Sequence, residues 1–314
     1  MGNTLFTPTK KDTRNEHIDL PKAHLKDLKQ FIKIEDKYLS TEHIVEALRK
    51  SGIESSNLII GIDYTASNLE KGAITYNGQS LHSINQNYMN PYQSVISIVG
   101  KILEPFDEDK LIPSFGFGDI RTKNHKIFNI NKNKTPCYTF NEVLQCYNEI
   151  TPNIKLNGPT SFAPLIRHSI EIVKNTASYH ILLIITDGEI IDKKATANLL
   201  VEASKYPLSI IAVGVGDGPF NEMEKYDDEL PQRKFDNFQF VNYNKIFNES
   251  ISKNISFEAL LALSVLQEIP DQYKYIKRSG LLSFKPSQHM NWENEYIVND
   301  TFQQSMYNIQ INKN

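Results

Sequence analysis

The segment Asn57-Leu-Ile-Ile-Gly-Ile-Asp63-Tyr64-Thr65-Ala66-Ser67 changes character at Asp63. Its first half is apolar without alternation, the mark of a strand buried on both faces. Its second half sets a carboxylate and two hydroxyls at alternate positions. Three later segments share the first texture: Leu111 to Phe117, His180 to Thr186 and Leu208 to Val215, with Phe238-Gln-Phe-Val241 as a shorter candidate. Between them, Tyr92 to Leu103, Phe140 to Ile150, Pro164 to Val173 and Lys193 to Ser204 carry apolar residues at helical spacing. Upstream, Ser40-Thr41-Glu42-His43 opens a further helix with a capping hydroxyl, and Gly52 closes it. Strands alternating with helices predict an α/β fold: a doubly wound, mostly parallel sheet flanked by helices.

The chain has 314 residues, 40% of them hydrophobic and 23% charged, which is the composition of a globular protein. Lys and Arg number 34 against 37 Asp and Glu, a net charge of -3, which argues against nucleic acid as a partner. Two cysteines, Cys137 and Cys146, are too few for a disulfide framework, a RING or a zinc ribbon. No apolar run approaches the roughly 18 residues of a membrane span. The expected organisation is a flexible N-terminal segment over 1–30, one domain over 31–280, and an Asn- and Gln-rich extension over 281–314 around Trp292. The expected location is cytoplasmic. Gly2 after Met1 is similar to an N-myristoylation signal, although Phe6 stands where a hydroxyl residue is usual. An acyl chain on Gly2 would hold the protein peripherally at the inner membrane face.

In open α/β sheets, ligands bind at the carboxyl ends of the strands. There the sequence places Asp63, Thr65 and Ser67 after one strand, Thr160 in the loop Gly158-Pro-Thr-Ser-Phe162 before a helix, and Asp187 in Thr186-Asp187-Gly188 after another. Each alone has an ordinary explanation as a cap or turn. Together they are two carboxylates and three hydroxyls, the hard oxygen donors that suit Mg²⁺. Ser67 or Ser161 as a nucleophile would need a histidine base, and the sequence sets none at these strand ends. His168 and His180 read as structural. Asp119 reads equally as a rim residue or a turn cap. Gly214-Val-Gly-Asp-Gly218 reads as a turn, Asp227-Asp228-Glu229 as a solvated acidic loop, and Cys146 as a small buried side chain. Ser256 to Leu266 reads as a static core helix or as one that shifts when a partner binds.

Asp63-x-Thr65-x-Ser67, then Thr160, then Asp187-Gly188 resembles the metal-ion-dependent adhesion site of von Willebrand factor A domains. Thr65 stands where serine is usual. Longer strings, among them Ile112-Pro-Ser-Phe-Gly-Phe-Gly-Asp119, Gly158-Pro-Thr-Ser-Phe-Ala-Pro164 and Val213-Gly-Val-Gly-Asp-Gly-Pro219, resemble the copine version of that domain, over roughly residues 31 to 280. The copine domain of plant RING-finger ubiquitin ligases is similar too, but no cysteine follows residue 280, and lipid-binding domains like those of copines are not expected in the first 30 residues. The resemblance implies a non-enzymatic interaction module. Mg²⁺ or Mn²⁺ would sit on Thr65, Ser67 and Thr160 with Asp63 and Asp187 around it, and a protein partner would supply an Asp or Glu to the metal. Signalling or trafficking at a membrane is the family's usual setting. Two other readings stay open: a metal-dependent hydrolase or phosphotransferase on the same cluster, and a scaffold with a vestigial metal site.

Overall fold

A run of seven buried residues, Asn57–Asp63, forms the central strand β1. Its β-branched and leucine side chains leave no polar face, so both faces must be covered. In the computed structural model, which describes residues 55–283 apart from 108, 189 and 231, together with 45 and 49, helices do this. The further strands are β2 (Ser114–Phe117), β3 (Ile127–Asn129), β4 (His180–Thr186), β5 (Leu208–Gly214) and β6 (Phe238–Asn242). They lie in the order β3-β2-β1-β4-β5-β6. Only β3 runs antiparallel, against β2. The order reverses direction between β1 and β4, which is where a doubly wound sheet opens a crevice at its carboxyl edge. The expected fold class is the observed one.

The helices are α1 (Pro91–Leu103), α2 (Phe140–Ile150), α3 (Ala163–Thr176), α4 (Lys193–Ala203), α5 (Asn221–Glu229), α6 (Tyr243–Lys253), α7 (Phe257–Leu266) and α8 (Ile269–Arg278). Local chemistry fixes their starts. Asn90 and Gln93 form a reciprocal capping box ahead of Pro91 on α1. Thr139 and Ser256 accept from backbone N–H groups at the starts of α2 and α7. The α7 helix buries Ala259 to Leu263, Val265 and Leu266, so it is a core helix around most of its circumference.

Several expectations need correction. The strand predicted from Leu111 starts at Ser114, because Pro113 donates nothing to a ladder and Ile112 pairs only in an isolated bridge with Cys137. Asp227-Asp228-Glu229 is not a loop: it ends α5, where Asp228 is exposed as expected but burial pushes the Asp227 carboxyl up to about 7. Cys146 is only partly buried. The helix expected over 40–52, Gly2 and the strand expected near Trp292 lie outside the described residues. Contacts divide the chain into residues 1–37 and 38–314, and all described residues fall in the second unit. No described helix is long and apolar enough to cross a membrane.

Candidate metal centre

The side chains of Asp63, Thr65, Ser67, Thr160 and Asp187 meet at the carboxyl edge of β1 and β4. The Asp63 and Asp187 side chains belong to residues with no solvent exposure. One Asp63 oxygen accepts from the Thr65 backbone N–H at 2.9 Å, and the other accepts from the Thr186 hydroxyl at 2.6 Å. Ser67 donates to Asp187 Oδ1 at 2.9 Å. Because that spends the Ser67 proton, the 3.0 Å contact between Thr65 Oγ1 and Ser67 Oγ has Thr65 as donor. Thr160 then donates to Thr65 at 3.4 Å. The hydroxyls thus form a directed chain, Thr160 to Thr65 to Ser67 to Asp187. All five residues proposed from the sequence are brought together.

The loops carrying them are anchored to one another. Thr65 bridges Asn157, and the Ala66 N–H donates to Asn157 O at 2.5 Å. Thr160 O accepts from the Ile191 N–H at 3.1 Å, tying its loop to the one after Asp187. Gly118 lies against Thr65 with φ at +83°, and a Cβ there would overlap the Thr65 methyl. The methyl that distinguishes Thr65 from serine therefore has its space because residue 118 is glycine. Ser161 donates instead to Asp192 at 2.5 Å and is not aimed into the cluster. Asp119 caps its own turn, accepting from the Thr122 N–H at 2.8 Å and the Thr122 hydroxyl at 2.5 Å.

His82 is the residue that sequence reasoning passed over. Its Nε2 lies 2.7 Å from the Asp63 carbonyl oxygen, which can only accept, so Nε2 carries the proton. Nδ1 then accepts from the Tyr147 hydroxyl at 2.8 Å, and Asn90 donates to that hydroxyl at 3.0 Å. The imidazole is sandwiched between Tyr64 and Tyr92, with centroid distances of 4.7 and 4.1 Å. Burial lowers its pKa to about 3, so it is neutral and holds the Asp63 backbone through one N–H. Nothing in the sequence separation of 19 residues signals this contact. His180 is buried with Nδ1 against Ser178 O, and His168 packs edge-on to Phe115. Both are structural, as expected.

The electrostatics are unbalanced. Burial drives the Asp63 carboxyl above the ordinary range, against the lowering effect of the hydrogen bonds from the Thr186 hydroxyl and the Thr65 N–H. Burial, and then the neighbouring Asp63 charge, drive Asp187 well above it. Asp187 Oδ2 is buried with no hydrogen-bond partner. An unpartnered buried carboxylate oxygen is costly unless something positive meets it. Among the described residues, no three or more His, Cys, Asp or Glu side chains group as metal ligands. Here only two are carboxylates, and hydroxyls provide the other oxygens. That donor set fits a hard divalent cation that keeps several waters.

The protein-family model Copine matches residues 80–285. Copine family protein 2 of Caenorhabditis elegans is 50% identical over 248 residues, covering 78% of this chain and 3% of that protein. The E3 ubiquitin-protein ligases RGLG4 and RGLG3 of Arabidopsis thaliana are 44% and 46% identical, over 78% and 77% of this chain and 64% and 69% of theirs. The chain thus spans about two thirds or less of the first two of these relatives and slightly more of the third. Among solved structures, manganese-loaded TRAP protein of Plasmodium vivax is similar over 66% of this chain and 74% of that one, at 11% identity and a TM-score of 0.41. A von Willebrand factor type A protein from Catenulispora acidiphila is similar at 12% identity and a TM-score of 0.39, over 67% and 43% of the two chains. Those two likenesses are too distant to place a site. The family model and the sequence relatives show that this chain belongs to the copine family.

Proposed function

We propose that this chain is a protein-interaction module that takes its partner through a divalent cation. The observation that carries the reading is Asp187 Oδ2, a buried carboxylate oxygen without a partner, beside a second buried carboxylate. Thr65, Ser67 and Thr160 would hold Mg²⁺ or Mn²⁺, with Asp63 and Asp187 as ligands or as acceptors for its waters. When bound, the cation would supply a strong local charge at which a partner's Asp or Glu can replace water. The chain's own groups orient that site. Thr186 and the Thr65 N–H fix both Asp63 oxygens, Ser67 fixes one Asp187 oxygen, and neutral His82 holds the Asp63 backbone.

Binding is favoured over hydrolysis by the same geometry. His82 is the imidazole hydrogen-bonded to the site, and both its nitrogens are engaged, with Asp63 O and the Tyr147 hydroxyl. It leaves no basic nitrogen for a nucleophile. The ligase names belong to the relatives. The test is calorimetric titration of chelator-treated protein with Mg²⁺ and Mn²⁺, beside Asp63→Ala and Asp187→Ala. Saturable binding at one site, lost in both variants, is expected. Absence of binding at millimolar metal would refute the reading and leave the scaffold alternative.

A further inference from the structure

We propose that the rim of this centre is a docking face for an acidic protein segment with aliphatic side chains next to its metal-seeking carboxylate. The inference rests on the metal reading above and names the partner's chemistry. Three large aliphatic side chains stand exposed, two on the loops that carry the ligands and one on the adjoining loop after β2. Leu69 is 56% exposed at the end of the short 3-10 helix that contains Ser67. Ile191 is 55% exposed, and its N–H is bonded to Thr160 O. Ile120 is 38% exposed, and its N–H is bonded to Lys155 O, two residues from the Thr65 partner Asn157. Each is pinned by backbone geometry rather than left on a free loop. Exposed aliphatic groups on the loops about a polar centre offer apolar contact beside it, as binding sites do.

Charge supplies the second argument. The segments 120–126 and 154–158 run together through the Asp119–Leu156 bridge and the Ile120–Lys155 bond. They hold Arg121, Lys123, Lys126 and Lys155, all exposed, and no carboxylate. The Asp119 cap shapes this arm, and Gly158 lies against Gly118 O and the Lys123 backbone, so the arm borders Thr65 directly. Glu70 and Lys71 follow Leu69 and offset each other in charge, whereas this arm carries cations alone. A segment docked here therefore has a direction: its leading carboxylate at the metal, its further acidic residues over the arm.

Depth supplies the third. Asp63, Thr65, Thr160 and Asp187 are all buried, and only Ser67 among the five is partly exposed. Gly188 is itself buried, yet a Cβ there would meet nothing within 4 Å. Open space therefore lies beside Gly188, next to Asp187. A projecting side chain reaches into such a space, whereas a flat anionic bilayer would meet the arm first.

The experiment is selection from a displayed library of random linear peptides on the full chain with Mg²⁺, eluted with chelator. Sequences so recovered are expected to carry an Asp or Glu beside an aliphatic residue, with further acidic residues on one side only. A Lys123→Glu, Lys126→Glu, Lys155→Glu variant is expected to bind them about 10-fold more weakly or worse, with Mg²⁺ affinity unchanged within about 2-fold. Ile191→Ser is expected to weaken them without altering the salt dependence. Peptides without acidic excess, peptides bound equally by the triple variant, or no recovered peptides in protein that binds Mg²⁺ would overturn the proposal alone. Protein that binds no Mg²⁺ would overturn the reading beneath it. Sedimentation with phosphatidylserine vesicles that is lost in the triple variant, with no peptide recovered, would assign the arm to a membrane and overturn the proposal too.

Discussion

Two groups of carboxylates in this domain, one buried and one partly exposed, are completed in opposite ways. At the ends of β1 and β4, Asp63 and Asp187 are surrounded by hydroxyls and backbone N–H groups; the Ser67 hydrogen bond and, less strongly, the Lys71 charge favour ionised Asp187. At the end of α5 and beyond it, Asp227, Asp236 and Glu268 are gathered around Arg233. That guanidinium is 9% exposed, forms a 2.6 Å ion pair with Asp236 that lacks hydrogen-bond alignment, and donates to Asp227 O at 3.1 Å. The second group contains its own cation. The first contains neutral donors only and leaves one oxygen unmet. On the proposed reading, the group that carries its own cation is structural, and the group that lacks one is arranged to receive a cation from outside.

The comparison breaks most visibly at Arg233. Arg233→Met keeps the stem and removes the charge, leaving three acids with each other. Losing one partner of a buried charge group costs about 3–5 kcal/mol; Asp236 is 43% exposed, so about 2–3 kcal/mol is the expectation. Scanning calorimetry is expected to show melting roughly 5–10 °C lower. An unchanged melting temperature would mean that Arg233 does not neutralise this group. Asp187→Asn is expected to act in the opposite direction. Without metal it removes one of two adjacent like charges, so stability should hold or rise by about 1 kcal/mol. Wild-type protein at 100 times the Mg²⁺ dissociation constant should gain about 2.7 kcal/mol, and the variant nothing. A destabilised, metal-free Asp187→Asn would show that the two groups are not different in kind.

Protons sharpen the same contrast. Burial raises Asp227 to about 7, and burial with the Asp227 and Asp236 charges raises Glu268 to about 8, against ordinary values of 3.8 and 4.5. Asp107, raised to about 7 mainly by burial, has the same sign. The folded chain thus binds more protons than the unfolded chain, so stability is fully present below the unfolded values and is lost as pH rises through the folded ones. Metal-free protein is expected to melt higher at pH 6 than at pH 8. Asp63 and Asp187 add to this slope only while no cation is present. Saturating Mg²⁺ should therefore flatten the slope without abolishing it. Melting curves at both pH values, with and without Mg²⁺, measure the two shares. An unchanged slope would deny that the metal centre contributes.

What the sequence made legible follows from locality. Continuous apolar runs such as Asn57–Asp63 and His180–Thr186 can only be doubly covered strands, and their bounds were readable to the residue. The five oxygen-bearing residues were readable because strand ends in such a sheet converge. His82 was not readable, because its role depends on a loop returning it to Asp63 and on Tyr64 and Tyr92 closing around it. The Arg233 group was misread for a related reason. A run of acids looks solvated until the chain brings Arg233 and the start of α8 against it, and no local pattern encodes that approach. The short antiparallel β3 escaped too, since three residues carry no period.

The smallest expected effect tests the open space beside Asp187. At Gly188 a Cβ would meet nothing within 4 Å. Gly188 does not have a positive φ, so alanine adopts its backbone without strain. Gly188→Ala is therefore expected to change stability by no more than about 0.5 kcal/mol, with any gain coming from the less flexible unfolded chain. Mg²⁺ affinity should stay within about 2-fold, because the methyl replaces no oxygen. A loss above about 1 kcal/mol in denaturant unfolding would mean that neighbouring atoms already occupy the space beside Asp187. The unmet Oδ2 would then face protein rather than an opening, and a cation from outside would have no route to it.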